Sequence, residues 1–114
     1  MKRIMLNIAA VVLLFSLTCC ARGFNRDKAE DILQNQEISQ EDYDILLEQY
    51  EYCIDDAIEL SKKDNSEISA DDREELITMF AIGKRLAIDE DKLTAEQQKE
   101  FSRINHKGTE QLSK

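Results

Sequence analysis

The sequence contains no proline, only three glycines, three cysteines and a single histidine. Each shortage excludes something. Without proline, nothing after the N-terminal segment forces a helix to break. The glycines stand apart, so no glycine-rich loop is present to cradle a phosphate. The lone histidine, His106, lies between Asn105 and Lys107 with no second histidine or nearby cysteine at zinc-ligand spacing. It is expected at the surface or near a helix end, and neither a metal nor a cofactor is expected. Strand-like alternation of apolar and polar residues is also missing after the first twenty residues, which leaves an all-α chain.

Basic residues are scarce as well. The chain has 15 Lys and Arg against 24 Asp and Glu, and its first twenty residues carry only Lys2 and Arg3 as charges. Without those two, 13 bases face 24 acids, a formal side-chain charge of −11. Such a field repels phosphate backbones, and no stripe of Lys and Arg with interleaved aromatics offsets it, so nucleic acid is excluded as a partner. A solvated acidic helix surface keeps a protein soluble, and it also suits a basic protein partner or divalent cations.

The N-terminal segment differs from all that follows. Lys2 and Arg3 precede an apolar stretch at residues 4–17, "IMLNIAAVVLLFSL". As a helix this stretch spans about 21 Å, short of a hydrocarbon core about 30 Å thick, so it reads as the apolar centre of a signal peptide. It ends in "LTCC", Leu17, Thr18, Cys19 and Cys20. In position, charge order and this final motif, the segment resembles bacterial lipoprotein precursors, whose lipobox is a Leu-like residue, two small residues and the cysteine that receives lipid. Cys19 stands where Gly, Ala or Ser is usual, and it is small enough to fit. Choosing Cys19 as the modified residue instead puts Ser16 in the place of Leu, a poorer match.

The resemblance implies export, attachment of a diacylglycerol to the Cys20 thiol, and cleavage that leaves Cys20 as the first residue of the mature protein. It divides the chain into a signal peptide (1–19), a lipidated tether (20–26) and a single helical domain (27–114). Two or three acyl chains then hold an acidic body at a membrane, because one chain alone binds only marginally. In lipoproteins of diderm bacteria, Asp directly after the lipidated cysteine is associated with inner-membrane retention. Ala21 stands there instead, so the outer membrane, facing the periplasm, is the expected location in a diderm host.

The exported body reads as helices joined by polar connections. Residues 27–36 place Ala29, Ile32, Leu33 and Gln36 on one face. Next, Ser39 and Asp42 approximate a capping box ahead of the strongest pattern in the chain, Tyr43, Leu46, Leu47, Tyr50, Cys53, Ile54, Ala57 and Ile58, with Lys62 and Lys63 in the expected last turn. A polar connection at residues 64–69 leads to a second Ser–Asp cap, Ser69 and Asp72. The helix behind it carries Leu76, Met79, Phe80, Gly83, Leu86 and Ala87 on one stripe, widened by Ile77, Ile82 and Ile88. Gly83 inside that helix costs about 1 kcal/mol relative to Ala, so it marks a close crossing or a kink. Thr94 and Gln97 cap a last helix with Leu93, Gln97, Phe101 and Ile104 inward and Gly108 as its expected stop. Short connections favour antiparallel neighbours, so the expected architecture is a small antiparallel three-helix bundle with a short extra N-terminal helix.

Little in this body resembles catalytic chemistry. Cys53, the cysteine left after the lipobox, falls on the apolar stripe and is expected to be a buried small hydrophobe. Residues 89–100 start like a calcium loop, but Leu93 and Thr94 occupy the places of a ligand and the turn glycine; residues 64–75 likewise lack the glycine and carry Ile68 at a ligand position. Of the tyrosines, Tyr52 alone falls off the core stripe, which makes it, with nearby carboxylates, the candidate partner face. The chain is therefore expected to be no enzyme but a lipid-anchored envelope protein that binds another protein. The alternative is a small-molecule or metal-binding lipoprotein with its ligand between the helices.

Overall fold

A computed structural model of the chain describes residues 24–113, with the side chain of residue 65 excepted. The expected signal peptide, the expected lipobox residues Leu17, Thr18 and Cys19, and Cys20, the expected site of lipidation, lie outside the described residues. The described residues are all-helical: α1 (Arg26–Leu33), α2 (Gln40–Leu60), α3 (Ala70–Ile88) and α4 (Ala95–Leu112), with short 3₁₀ turns at Asn65–Glu67 and Glu90–Lys92.

Each helix starts on a polar cap, because the first N–H groups of a helix have no partner within it. Asn25 accepts from the Lys28 N–H at 3.1 Å and Ser39 from the Asp42 N–H at 3.1 Å. Ser69 and Asp72 form a reciprocal capping box, as do Thr94 and Gln97. Helix ends are less faithful to the sequence pattern. The α2 helix closes at Leu60, and Lys62 and Lys63 lie beyond it, their N–H groups bonding three residues back to Glu59 and Leu60. This tightening satisfies the terminal carbonyls without a basic last turn. In α1, Leu33 is the final residue, and Gln36 is exposed, outside the face assigned to it.

The core sits on α2. Tyr43, Leu46, Leu47, Tyr50, Cys53, Ile54 and Ala57 are buried, joined by Met79, Ile82 and Leu86 of α3, Phe101 and Ile104 of α4, Leu93, and Ala29 and Ile32 of α1. Helix α2 packs against both α3 and α4, while α1 packs against α2 and α3. The outcome is what three apolar stripes require, since a stripe on each long helix can only be covered by another helix.

Two expectations about α3 and α4 are corrected. The sequence pattern puts Phe80, Ile77, Ile88 and Ala87 on or beside the core stripe, yet all are exposed, Phe80 at 70%. The segment from Leu76 to Ile88 is apolar almost all round, so periodicity alone does not choose a face; α2 covers the Met79–Ile82–Leu86 side. Gly108 does not stop α4, which continues to Leu112 with Gly108 buried inside it. No glycine among the described residues has a positive φ. Both helical glycines serve close approach instead. A Cβ on Gly83 would lie 3.1 Å from the Tyr50 ring, and one on Gly108 would lie 3.2 Å from Ile54 Cδ1.

Candidate functional site

The seam between α2 and α4 is built from side chains that pair across it. Gln97 closes its own capping box through Oε1, which accepts from the Thr94 N–H at 2.9 Å. Its Nε2 reaches back to α2, donating to the Gln40 carbonyl at 3.1 Å and to Asp44 Oδ1 at 2.9 Å. One turn and more along, Arg103 donates to Glu51 at 2.8 Å, and Lys107 sits 2.7 Å from Glu51 and 2.8 Å from Asp55. Hydrogen bonds from Arg103 and then Lys107 hold the Glu51 carboxyl below the usual range, against the opposing effect of burial. Burial opposes the charge on Lys107, but Asp55 and Glu51 outweigh it and raise its affinity for a proton.

Beside this seam lies a concavity of about 960 Å³. Ile45 and Leu47 give it an apolar component, and Asp44, Glu48, Glu96 and Glu100 surround them with carboxylates. Lys99 is the one basic residue of its lining, and none of the lining belongs to α3. Positions 44, 48, 51 and 55 recur at three- and four-residue steps, which puts their carboxylates on one flank of α2. A groove of this kind offers an apolar floor and a negative field to a cationic partner.

A second, smaller concavity of about 450 Å³ runs between α3 and α4. Tyr50 and Ile54 of α2 form its base where Gly83 and Gly108 leave room, and Phe80 and Leu112 stand at its sides. Tyr50 Oη donates to Asn105 Oδ1 at 2.6 Å, and its ring lies 5.7 Å from that of Phe101, centroid to centroid. Burial raises the Tyr50 phenol pKa, so it stays a donor.

Buried polar groups at the two ends of α3 have pKa values shifted by their surroundings. Tyr43 Oη donates to Asp89 Oδ2 at 2.8 Å, and the Arg85 guanidinium reaches the same oxygen at 2.7 Å while also donating to the Leu33 and Gln36 carbonyls. Burial, followed by the Asp89 carboxylate, pushes the Tyr43 phenol up to about 12. For Asp89 itself, burial disfavours the charge, but the donors Arg85 and Tyr43 outweigh it and hold the carboxyl below its usual range. At the other end of α3, burial and the neighbouring Asp56 carboxyl push Glu75 up to about 8. Glu75 Oε2 is buried and has no hydrogen-bond partner.

The residues singled out from the sequence do not converge. Cys53 is fully buried, and burial, reinforced by the charges of Glu75 and Asp56, pushes its thiol pKa far up, so it stays protonated. His106 is exposed on α4, 3.7 Å from Glu110 and on a different element from Cys53. Tyr52 is half-buried on α2 and lines neither groove. Among the described residues, no group of three or more His, Cys, Asp or Glu is arranged to hold a metal ion, and no helix is long and apolar enough to cross a membrane. The groove residues Asp44, Glu48 and Gln97 are not marked as a site by any motif, and the one sequence signal for them is the acidic spacing along α2. No family model, no curated protein and no solved structure matches this chain.

Proposed function

We propose that this chain is a lipid-anchored, non-enzymatic protein-binding module of the bacterial cell envelope. In this reading Cys20, behind the lipobox Leu17–Thr18–Cys19, carries the acyl chains, and the body stands at the periplasmic face of the outer membrane in a diderm host. The three long helices form an antiparallel bundle, with α1 as its short N-terminal addition. The single observation that carries the binding role is the acidic groove between α2 and α4, whose apolar floor and surrounding carboxylates suit a basic protein surface. The burial of Cys53, whose thiol stays protonated, and the exposure of His106 support a role without catalysis.

The test is a crosslinking pull-down of the tagged full-length protein from its own membranes, with Cys20→Ala as the control and mass spectrometry as the readout. One abundant basic partner is expected, bound less tightly as salt rises, because exposed charges more than about 10 Å apart are largely screened at 0.1 M ionic strength. Recovery of the chain alone would overturn the reading. So would a partner whose affinity ignores both salt and a Glu48→Lys substitution.

A second reading has its own observation. The concavity over Tyr50 and Ile54, about 450 Å³, falls within the roughly 300–1,000 Å³ typical of small-ligand sites. A small apolar envelope molecule bound there raises the melting temperature, and Gly83→Leu, which fills the space, removes that rise. No shift across a panel of such molecules and divalent cations would rule this reading out.

A further inference from the structure

Among the described residues, three of the four exposed large hydrophobic side chains lie on α3: Ile77 at 68%, Phe80 at 70% and Ile88 at 65% exposed. They are not scattered. At 100° per residue, Ile77, Ala81, Lys84 and Ile88 share the side of α3 opposite Met79, Ile82 and Leu86, with Phe80 at its edge. From Leu76 to Ile88 the helix carries no acidic residue at all, in a chain with 24 of them. The exposed residues there are Ile77, Phe80, Ala81, Lys84, Ala87 and Ile88, and Arg73 stands one turn before them. Glu74, which is paired with Arg26, and Glu75 bound the face at one end and Glu90 and Asp91 at the other.

The start of the described chain lies beside this helix. Phe24 and Asn25 line one hollow with Asp71 and Glu75 of the first turns of α3, and Arg26 pairs with Glu74. Only residues 21–23 separate Phe24 from Cys20, about 14 Å of fully extended chain. A lipid on Cys20 therefore keeps α3 close to the bilayer. An acidic body on so short a tether is repelled by anionic headgroups over most of its surface. The α3 face is the exception, being apolar and cationic.

We propose that the outer face of α3, from Ile77 to Ile88, lies flat against the phospholipid surface of the bilayer that holds the Cys20 acyl chains. The proposal rests on the lipid-anchor reading for the nearness of that bilayer. Ile77, Phe80 and Ile88 enter the boundary between headgroups and acyl chains, while Lys84 and Arg73 meet phosphates, neither being in an ion pair among the described residues. The face runs for about 16 Å along the helix, long enough to set the tilt of the body. A second copy is a poorer occupant, because it brings another net charge of −11 against the first. With α3 on the membrane, the α2–α4 groove, which has no α3 residue in its lining, is left open to a partner.

The chain has no tryptophan, so a single introduced one reports without background. Full-length, acylated protein carrying Ile88→Trp is reconstituted into phosphatidylethanolamine–phosphatidylglycerol vesicles, some with brominated acyl chains, and flotation is recorded alongside fluorescence. Ile77→Trp serves as a second reporter at the far end of the face, and His106→Trp on α4 as the aqueous control. The expected result is quenching of both α3 reporters by the brominated lipid, with the control quenched only by iodide. Adding Lys84→Gln lowers the ratio of docked to free body about fivefold.

Vesicles that float with the protein while all three reporters respond to iodide alike would overturn the docking and leave the anchor standing. Protein that stays in the aqueous fraction would overturn both. Shielding of the α3 reporters in native membranes but not in protein-free vesicles would reject the lipid surface in favour of a protein on the same face.

Discussion

Tyr43 and Asp89 meet through a buried hydrogen bond of 2.8 Å that ties the first turn of α2 to the residue closing α3. Asp89 is 4% exposed and also receives the Arg85 guanidinium, so its removal leaves a phenol and a cation without their shared acceptor. Asp89→Ala is expected to cost about 3 kcal/mol, and Tyr43→Phe, which loses one hydrogen bond, about 1–2 kcal/mol. The two effects will not add, because both act through the same carboxylate. Urea denaturation of the four proteins of a double-mutant cycle measures this, and strict additivity would show that the two side chains act independently.

The same network sets a limit on the acid side. Its donors hold Asp89 below the ordinary carboxylate range, so the folded state binds that proton less readily than the unfolded chain. The stabilisation is present above the unfolded pKa, 3.8, and is lost as pH falls through the folded value. Asp89→Asn removes this part of the acid destabilisation. A thermal-melt series below pH 5 that is unchanged in the variant would contradict it.

Glu75 acts in the opposite sense. Burial and the Asp56 carboxyl push its pKa up to about 8 from 4.5, so between those values the folded chain keeps a proton that the unfolded chain releases. Stability from this group is full at the acid end of that window and falls as pH rises through it. Glu75→Gln mimics the protonated form and is expected to flatten the decline of melting temperature between pH 5 and 8. An identical slope in wild type and variant would place the linkage elsewhere.

Gly83 poses a contest between helix propensity and space. Alanine there gains about 1 kcal/mol of propensity, but its Cβ would lie 3.1 Å from a Tyr50 ring held by Asn105 and Phe101. Because Tyr50 is anchored on two sides, Gly83→Ala is expected to be destabilising by about 1–2 kcal/mol net of that gain. A higher melting temperature in calorimetry would mean that the ring gives way.

Cys53 is expected to be silent toward thiol reagents. In a form with Cys19 and Cys20 replaced by Ala, a chromogenic disulfide should find no reactive thiol at pH 8 until denaturant is added, since the side chain is fully buried and its thiolate strongly disfavoured. Prompt labelling of the native protein would show that α2 opens on the timescale of the reaction.

The helices were legible because their starts are written in short polar words. Ser69 with Asp72 and Thr94 with Gln97 act as caps where the sequence places them, and the α2 stripe from Tyr43 to Ala57 is buried throughout. Where apolar residues surround a helix, as from Leu76 to Ile88, the period no longer tells inside from outside, and Phe80 is exposed although the pattern puts it on the core stripe. Gly108 misled differently: glycine marks a helix stop when it adopts a positive φ, but it also marks a place where another side chain comes close, and the chain alone does not say which. The grooves were the least legible, since they depend on which flanks of α2 are left between its neighbours. The spacing of Asp44, Glu48, Glu51 and Asp55 was visible, whereas the pairing of Glu51 with Arg103 and Lys107 joins residues more than fifty positions apart.

Helix α1 has only eight residues, fewer than an isolated helix in water needs, so its winding depends on what grips it. The grips are few: the Asn25 N–H on Gln49, Arg26 on Glu74, the apolar Ala29 and Ile32, and Arg85 on the carbonyls of Leu33 and Gln36. Mechanical load on the chain ahead of Phe24 falls first on these attachments, and the Asn25–Gln49 bond passes part of it straight to the middle of α2. Tension at the N-terminus is thus shared between the two helices that hold α1, α2 through Gln49 and α3 through Glu74 and Arg85.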